Sequence, residues 1–330
     1  MSGAPATPRL LADIGGTHAR FALQMPGARP GEPVVLDVAA HADLERAAGV
    51  ALNRLAPSSP PRVAALAVAG PVLGETVAMT NHPWTLSRTA IAQALGLDRV
   101  EIVNDFAAIA RALPHLAADE HRPLGDGPET GAPGAALAAI GPGTGLGVAG
   151  LAPAGAGWVV IAGEGGHADF AAVTARERAV RDRLATRHAH VSVERLLSGP
   201  GLGEIYRALA EIDGRNGGTP PPGAAEIAQR ARARSDAIAV ETATLFSAAL
   251  GGAAGNLALT LGARGGVYLA GGVVPGLGAA FDAAAFRRRF VAKGRFEDYL
   301  AAIPTRLITA RWPALIGLAA LLDQAPSTDA

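Results

Sequence analysis

The segment Leu11-Ala12-Asp13-Ile14-Gly15-Gly16-Thr17-His18-Ala19-Arg20 places a carboxylate, two glycines and a hydroxyl between two short apolar runs. Those runs, residues 10–14 and 19–23, are typical of buried strands. Glycines allow a phosphate to approach the main chain, whose N–H groups can then donate hydrogen bonds to it. Taken alone, the segment fits either a phosphate-binding turn or a plain β-hairpin with a polar tip.

A second segment repeats this layout in the other half of the chain. Ile140-Gly141-Pro142-Gly143-Thr144-Gly145-Leu146-Gly147 again runs from an apolar strand through a glycine-rich turn with a threonine into another strand. Two such turns could bind a nucleotide phosphate chain from opposite sides. The pair is therefore much more specific for phosphate binding than either turn alone.

The order of apolar runs around the turns predicts an α/β fold, because strands are followed by helical patterns. A polar, Gly- and Pro-rich stretch at residues 115–133 is interpreted as a linker, and residues 215–223 as a loop. Pro114 is expected to end a helix, and Thr174 to begin one with a capping box. Strands are predicted at residues 10–14, 19–23, 34–38, 63–68, 100–103, 137–140, 147–151, 158–162 and 266–270, and helices at 43–55, 87–95, 106–113, 224–232 and 236–261.

Composition excludes several classes of function. The 330 residues carry no net charge, which argues against nucleic acid or an anionic membrane as the main partner. Cysteine is absent, so thiol catalysis and cysteine-bound metals are excluded. Lys293 is the only lysine and is followed by Gly294, so a Walker A site is excluded as well. The apolar stretch at residues 245–262 is interpreted as a buried helix, and no signal-peptide pattern begins the chain, which favours a cytoplasmic protein.

One competing motif is rejected. Gly145-Leu146-Gly147-Val148-Ala149-Gly150 satisfies the dinucleotide-binding pattern G-x-G-x-x-G, with Glu164 at about the spacing of a ribose-binding acid. That pattern needs a helix directly after the glycines. Pro153, Gly155 and Gly157 instead predict a turn between strands.

With the two turns in place, the sequence resembles the proteobacterial-type glucokinases of the hexokinase–actin superfold. The matching segments run in family order from the first strand nearly to the C-terminus, so the set is far more specific than any member. They are Asp13-Ile14-Gly15-Gly16-Thr17, Met79-Thr80-Asn81-His82-Pro83-Trp84, Ile102-Val103-Asn104-Asp105-Phe106, Gly143-Thr144-Gly145-Leu146-Gly147-Val148-Ala149, Gly163-Glu164-Gly165-Gly166-His167-Ala168-Asp169-Phe170, Val193-Glu194-Arg195-Leu196-Leu197-Ser198-Gly199-Pro200-Gly201-Leu202, Ala270-Gly271-Gly272-Val273-Val274-Pro275 and Lys293-Gly294-Arg295-Phe296.

The resemblance implies a two-domain, actin-like ATPase fold with ATP and sugar in a cleft between the domains. The small α/β domain would comprise residues 1–114 with 313–330, and the large α/β domain residues 115–312. The implied activity is transfer of the γ-phosphoryl group of ATP to the 6-hydroxyl of glucose, or of a close aldohexose, with Mg²⁺ as cofactor. Relatives are often homodimers, and the activity belongs to the cytoplasm.

The resemblance also implies roles for individual residues. Asp105 would be the general base, although an Asp between a strand and a helix also fits an ordinary helix cap. Sugar hydroxyls would be bound by Asn104, Asp105, Glu164, His167 and Glu194, where Glu194 also fits an acid in a helix's first turn after Ser192. Asp13 would hold Mg²⁺ through water. Nucleotide binding would fall to Ala12, Asp13, Ile14, Gly15, Gly16, Thr17, Gly143, Thr144, Gly145, Gly271 and Gly272.

Two departures from the family and two alternative functions accompany this interpretation. His18 stands where relatives usually have Asn, and the middle residues of segment 81–84 are ordered differently from many relatives. His188 and His190 are interpreted as solvent-facing polar residues.

A non-metabolic actin-like or chaperone-like ATPase would share both turns, and a sugar-sensing repressor would need a DNA-binding segment before the first strand. The sequence leaves open glucose against other hexoses, and ATP against polyphosphate as donor.

Overall fold

The computed structural model describes residues 7–79, 82, 84–215 and 220–324. Thr80, Asn81 and Pro83 of the family segment lie outside the described residues. The chain divides into two compact units, residues 1–120 with 310–330 (unit 1) and residues 121–309 (unit 2).

The described strands and helices follow one another in chain order across the two units. The strands are β1 Arg9–Ile14, β2 His18–Gln24, β3 Val34–Asp37, β4 Val63–Val68, β5 Thr76–Ala78, β6 Thr85–Ser87, β7 Arg99–Asn104, β8 His121–Pro123, β9 Leu137–Pro142, β10 Leu146–Ala154, β11 Gly157–Gly163, β12 Gly266–Leu269 and β13 Thr305–Ile308. The helices are α1 Leu44–Leu55, α2 Arg88–Leu95, α3 Asp105–Ala112, α4 Ala175–Ala185, α5 Val193–Leu196, α6 Gly199–Ile212, α7 Ala224–Ala233, α8 Ala237–Leu261, α9 Val273–Leu277, α10 Ala283–Val291, α11 Glu297–Ala301 and α12 Pro313–Asp323.

Unit 1 is built on a five-stranded sheet with the order β3-β2-β1-β4-β7. β1, β4 and β7 are parallel, and β2 returns antiparallel to β1. Successive residues of β1 enter different clusters: Leu10 and Ile14 pack with helix α1, whereas Leu11 packs with helix α12. This alternation explains the continuous apolar run of β1, because both faces of the sheet are covered by helices.

Unit 2 is built on a six-stranded sheet with the order β11-β10-β9-β12-β13-β8. β8 pairs antiparallel with β13, so the predicted linker at residues 115–133 is wrong in part: it contains an edge strand. The pairing joins residues far apart in sequence, where local composition gives no signal. α3 ends at Ala112, and Pro114 lies in the short 3-10 turn Leu113–His115 that follows it, so the predicted end of this helix is confirmed.

Helix α8 is the central helix of the core of unit 2. By length and composition alone it is long and apolar enough to cross a membrane. However, 67% of its most apolar 18-residue stretch is buried within the protein. Phe246, Leu250 and Ala254 are fully buried in the cluster that it shares with α6 and α10. The prediction of a buried helix is therefore confirmed.

Candidate active site

The first glycine turn connects β1 to β2 in unit 1 and carries Asp13 at its entrance. Asp13 lies directly opposite Arg20 in the strand pair, and Arg20 Nη1 donates to Asp13 Oδ2 at 3.2 Å. The Arg20 guanidinium also stacks on the Trp312 ring, 5.1 Å from its centroid. Burial raises the pKa of Asp13, and the charge of Arg20 opposes that rise. This pair was not predicted from the sequence, although a hairpin closed by Gly15 and Gly16 places the two residues face to face.

Asn104 and Asp105 lie at the junction of β7 and α3, and their capping roles differ from the prediction. Asn104 is the N-cap: its Oδ1 accepts from the N–H groups of Phe106 at 2.9 Å and Ala107 at 3.1 Å. Its Nδ2 donates to the carbonyl of Gly70 at 3.1 Å. Asp105 is the first residue of α3, and its Oδ1 accepts from Phe106 N at 2.8 Å. Asn104 therefore provides the cap that sequence alone allowed for Asp105.

The first glycine turn and the junction of β7 with α3 lie at the same edge of the sheet of unit 1. The register places Ile14 beside Val68, and Val68 beside Asn104, so the carboxyl ends of β1, β4 and β7 are level. Two strand spacings separate β1 from β7, or about 10 Å. Open α/β sheets bind ligands at this edge. The first glycine turn and Asp105 are therefore placed where one ligand can reach both.

The second glycine turn joins β9 to β10 in unit 2, and neighbouring main-chain and side-chain groups hold it at three points. Gly143 N donates to Gly145 O at 2.8 Å, and Gly143 O accepts from Gly199 N at 2.8 Å. Leu146 N donates to Glu194 Oε2 at 2.8 Å. Within the described part of the chain, no acceptor is recorded for the N–H groups of Thr144 and Gly145. They remain as donors for an anion.

Glu164 precedes a 3-10 turn at residues 165–167, His167 is its last residue, and both side chains are exposed. The two glycines between them lie in close contact with strand β10. A side chain at Gly166 would meet the Leu146 carbonyl at 2.2 Å, and one at Gly165 would meet Val148 at 2.8 Å. The glycines thus let the turn pack directly on β10, which fixes Glu164 and His167 beside the second glycine turn.

His190 contacts the same turn while its side chain remains 54% exposed, so its interpretation as a solvent-facing residue is confirmed. Its Nε2 lies 2.8 Å from the His167 carbonyl, and its Nδ1 lies 3.3 Å from Asp169 Oδ1. His188 is mostly buried and lies 3.8 Å from Glu204. These contacts join separate segments of the chain, and the sequence around the histidines gave no sign of them.

Gly271 and Gly272 follow β12, the parallel neighbour of β9, and precede helix α9. Gly271 has φ +81°, and a side chain there would meet the Pro142 carbonyl at 2.4 Å. Only glycine permits both this conformation and this close approach. Gly271 and the second glycine turn are consequently adjacent at the carboxyl edge of the sheet of unit 2, which is where a nucleotide could bridge them.

The described residues contain no group of three or more His, Asp or Glu side chains with the spacing of a metal site. Asp13 is therefore a single carboxylate, not part of a protein cage. Mg²⁺ commonly uses one or two carboxylates together with substrate phosphates and water. The donor set fits a cation that arrives with a nucleotide.

The chain is similar to known proteins over nearly its whole length. A family model described as Glucokinase matches residues 10–325. The glucokinase of Aromatoleum aromaticum is 48% identical over 321 residues, covering 96% of this chain and 95% of that protein. The bifunctional protein glk of Burkholderia pseudomallei is 47% identical over 319 residues, and the chain spans 49% of its length. The crystal structure of a glucokinase from an Antarctic psychrotroph has a TM-score of 0.86 at 34% identity, covering 97% of this chain and 99% of that one. The predicted actin-like α/β fold class and the resemblance are confirmed.

Proposed function

Because the chain belongs to the glucokinase family, we propose that it transfers the γ-phosphoryl group of ATP to the 6-hydroxyl of glucose, giving glucose 6-phosphate and ADP. The observation that carries the proposal is the full-length family match together with family residues in both units. Unit 1 contributes Asp105 beside a glycine turn. Unit 2 contributes Glu164, His167 and Glu194 beside another.

Asp105 is the general base in this proposal. Phosphoryl transfer depends mainly on positioning and charge stabilisation, with a base that accepts the proton of the attacking hydroxyl. Asp105 fits because it begins α3 at the carboxyl edge of the sheet, level with the first glycine turn. As the O6–H bond breaks, Asp105 takes the proton while the sugar oxygen forms a bond to the γ-phosphorus and the bond to the ADP oxygen breaks.

Glu164, His167, Glu194 and Asn104 bind the ring hydroxyls. A carboxylate can accept from two adjacent hydroxyls, and a site of this type rejects analogues that lack one. Asn104 contributes less to sugar binding than the resemblance implied, because its Oδ1 already accepts two main-chain hydrogen bonds. Its contribution to sugar binding is as a donor through Nδ2, which keeps one N–H beyond the bond to Gly70.

The two glycine turns bind the phosphates, and Gly271 with Gly272 borders the adenosine. Asp13 would hold Mg²⁺ through water, and the cation would neutralise phosphate charge as transfer proceeds. Arg20 keeps the Asp13 carboxylate in place through its bond at 3.2 Å. His18 begins β2 with an exposed side chain next to this turn, so it can contact the phosphates or their solvent shell.

The test of the function is ADP release with and without sugar. Purified protein with ATP and Mg²⁺ is expected to release ADP only when glucose is added, because the proposed acceptor is the sugar hydroxyl. A panel of glucose, mannose, fructose and 6-deoxyglucose identifies the acceptor, and 6-deoxyglucose is the matched control because it lacks the attacking hydroxyl. Polyphosphate in place of ATP tests the donor. ADP release that is indifferent to sugar would instead support an actin-like or chaperone-like ATPase.

The protein is proposed to be a cytoplasmic homodimer, and strand β11 is its pairing surface. β11 is an edge strand, and Val159 and Ile161 on one of its faces are 54% and 44% exposed. Natural edges usually carry charges, prolines or bulges that prevent pairing, and the sequence of β11 contains neither charge nor proline. Antiparallel pairing with a second copy about Val160 would place Val159 opposite Ile161 of that copy and cover both.

Ile161→Lys is therefore expected to convert the dimer to a monomer, because it would place two like charges in the paired edge. Light scattering on a sizing column measures the mass. Val173→Lys is the matched control, since Val173 is also exposed, at 56%, but lies outside the strand. A dimeric Ile161→Lys protein would refute the surface, and a monomeric unmodified protein would refute the dimer.

A further inference from the structure

Glu194 contacts the second glycine turn as well as belonging to the proposed sugar site. Its Oε2 accepts from the main-chain N–H of Leu146 at 2.8 Å. The same oxygen occupies the space beside Gly145, where a Cβ would lie 2.4 Å from it. Gly145 is thus the residue that allows the carboxylate to reach the main chain of the turn. Charge-assisted bonds of this kind are about twice as strong as neutral ones.

The segment that carries Glu194 is firmly anchored. Ser192 caps helix α5 by accepting from Arg195 N and forms an isolated β-bridge with Asp169. Val193 N donates to the Ala168 carbonyl at 2.9 Å. Six residues after Val193, Gly199 N donates to Gly143 O at 2.8 Å. One short stretch of chain therefore holds the glycine turn at both ends, and the Glu194 side chain is its only charged contact with the turn that the described residues record.

We propose that Glu194 is a positioning residue for the phosphate-binding turn and couples sugar binding to nucleotide binding. Oε2 fixes the turn, which leaves Oε1 for a sugar hydroxyl. The proposal rests on the proposed function, because it takes the sugar and phosphate ligands from there. Since one carboxylate serves both ligands, each ligand is expected to strengthen the binding of the other by the same factor.

Gly145→Ala tests the contact from the phosphate side. The added methyl group must displace the Glu194 carboxylate, so the Kd for glucose, measured by calorimetry without nucleotide, is expected to rise about tenfold. Gly143→Ala is the matched control in the same turn, because a Cβ there meets nothing within 4 Å. Its Kd for glucose is expected to be unchanged.

Glu194→Ala and Glu194→Gln test the contact from the sugar side. With no sugar present, the Kd for Mg-ADP is expected to rise about fivefold in Glu194→Ala. Glu194→Gln keeps an oxygen acceptor for Leu146 N, so its Kd for Mg-ADP is expected to match that of the unmodified protein. A residue that only bound sugar would leave Mg-ADP binding unchanged in both variants.

The coupling is supported if Gly145→Ala weakens glucose binding and Glu194→Ala weakens Mg-ADP binding. It is overturned if either Kd stays unchanged, or if Gly143→Ala weakens glucose binding as much as Gly145→Ala. Failure of the proposed function has a different signature, because the unmodified protein would then release no ADP in response to any sugar. The two failures are therefore distinguishable in the same set of preparations.

Discussion

Asp105→Asn is expected to lower kcat at least about a hundredfold while the binding of ATP survives, because general-base assistance is typically worth about 10²–10⁴ in rate. Steady-state ADP release at saturating glucose and ATP measures kcat, and calorimetry measures the Kd for nucleotide. The substitution removes the proton acceptor but keeps the size of the side chain. The loss should therefore appear in kcat rather than in the Kd for glucose or the Kd for nucleotide.

The structure separates this effect from a loss of folding. Asn104 caps α3, and an asparagine at position 105 can still accept from Phe106 N through its amide oxygen. Asp43→Asn is the matched control: Asp43 caps α1 in the same unit by accepting from Arg46 N at 2.8 Å. Both variants are expected to melt within a few degrees of the unmodified protein, and only Asp105→Asn should lose turnover. Near-normal turnover in Asp105→Asn would reject Asp105 as the base.

The sequence predicted features that depend on a few neighbouring residues. Thr174 and Ser192 cap the helices that follow them. These features follow from local hydrogen-bonding rules. The same rules could not choose between Asn104 and Asp105 as the cap of α3, since both types are favoured there. In the structure Asn104 is the cap, and its amide also donates to the carbonyl of Gly70, 34 residues away in the sequence.

Contacts between distant segments explain what the sequence did not predict. Glu194 reaches Leu146 across 48 positions, and β8 pairs with β13 across about 180. Neither pairing leaves a periodic pattern in the chain. The Asp13–Arg20 pair was also not predicted, but it is local, because the register of a short hairpin places the two residues opposite each other. The family residues and most helices and strands could therefore be predicted from the sequence. The hydrogen bonds that orient the site could be seen only in the folded structure.

Gly317→Ala is expected to lower the free energy of unfolding by about 3 kcal/mol, at the upper end of the usual range for overpacking. Gly317 lies in α12, where a Cβ would be 1.8 Å from the Ala108 carbonyl and 3.1 Å from Ala112 N of α3. The atoms in the way are main-chain atoms that cannot rotate aside, so the two helices must separate. Urea unfolding followed by circular dichroism measures the change.

The same variant should also lose activity under conditions where it is fully folded. α3 begins at Asp105, three residues before Ala108, so any displacement of the helix moves the proposed base. A misplacement of about 1 Å can cost about a hundredfold in rate, and a fall in kcat of at least about tenfold is expected. Gly49→Ala is the matched control, because Gly49 lies in α1 of the same unit and a Cβ there meets nothing within 4 Å. It is expected to stabilise the protein by about 0.5–1 kcal/mol through helix propensity and to leave kcat unchanged.

If Gly317→Ala and Gly49→Ala shifted stability in the same direction, the close approach of α3 and α12 would not be what requires glycine at position 317.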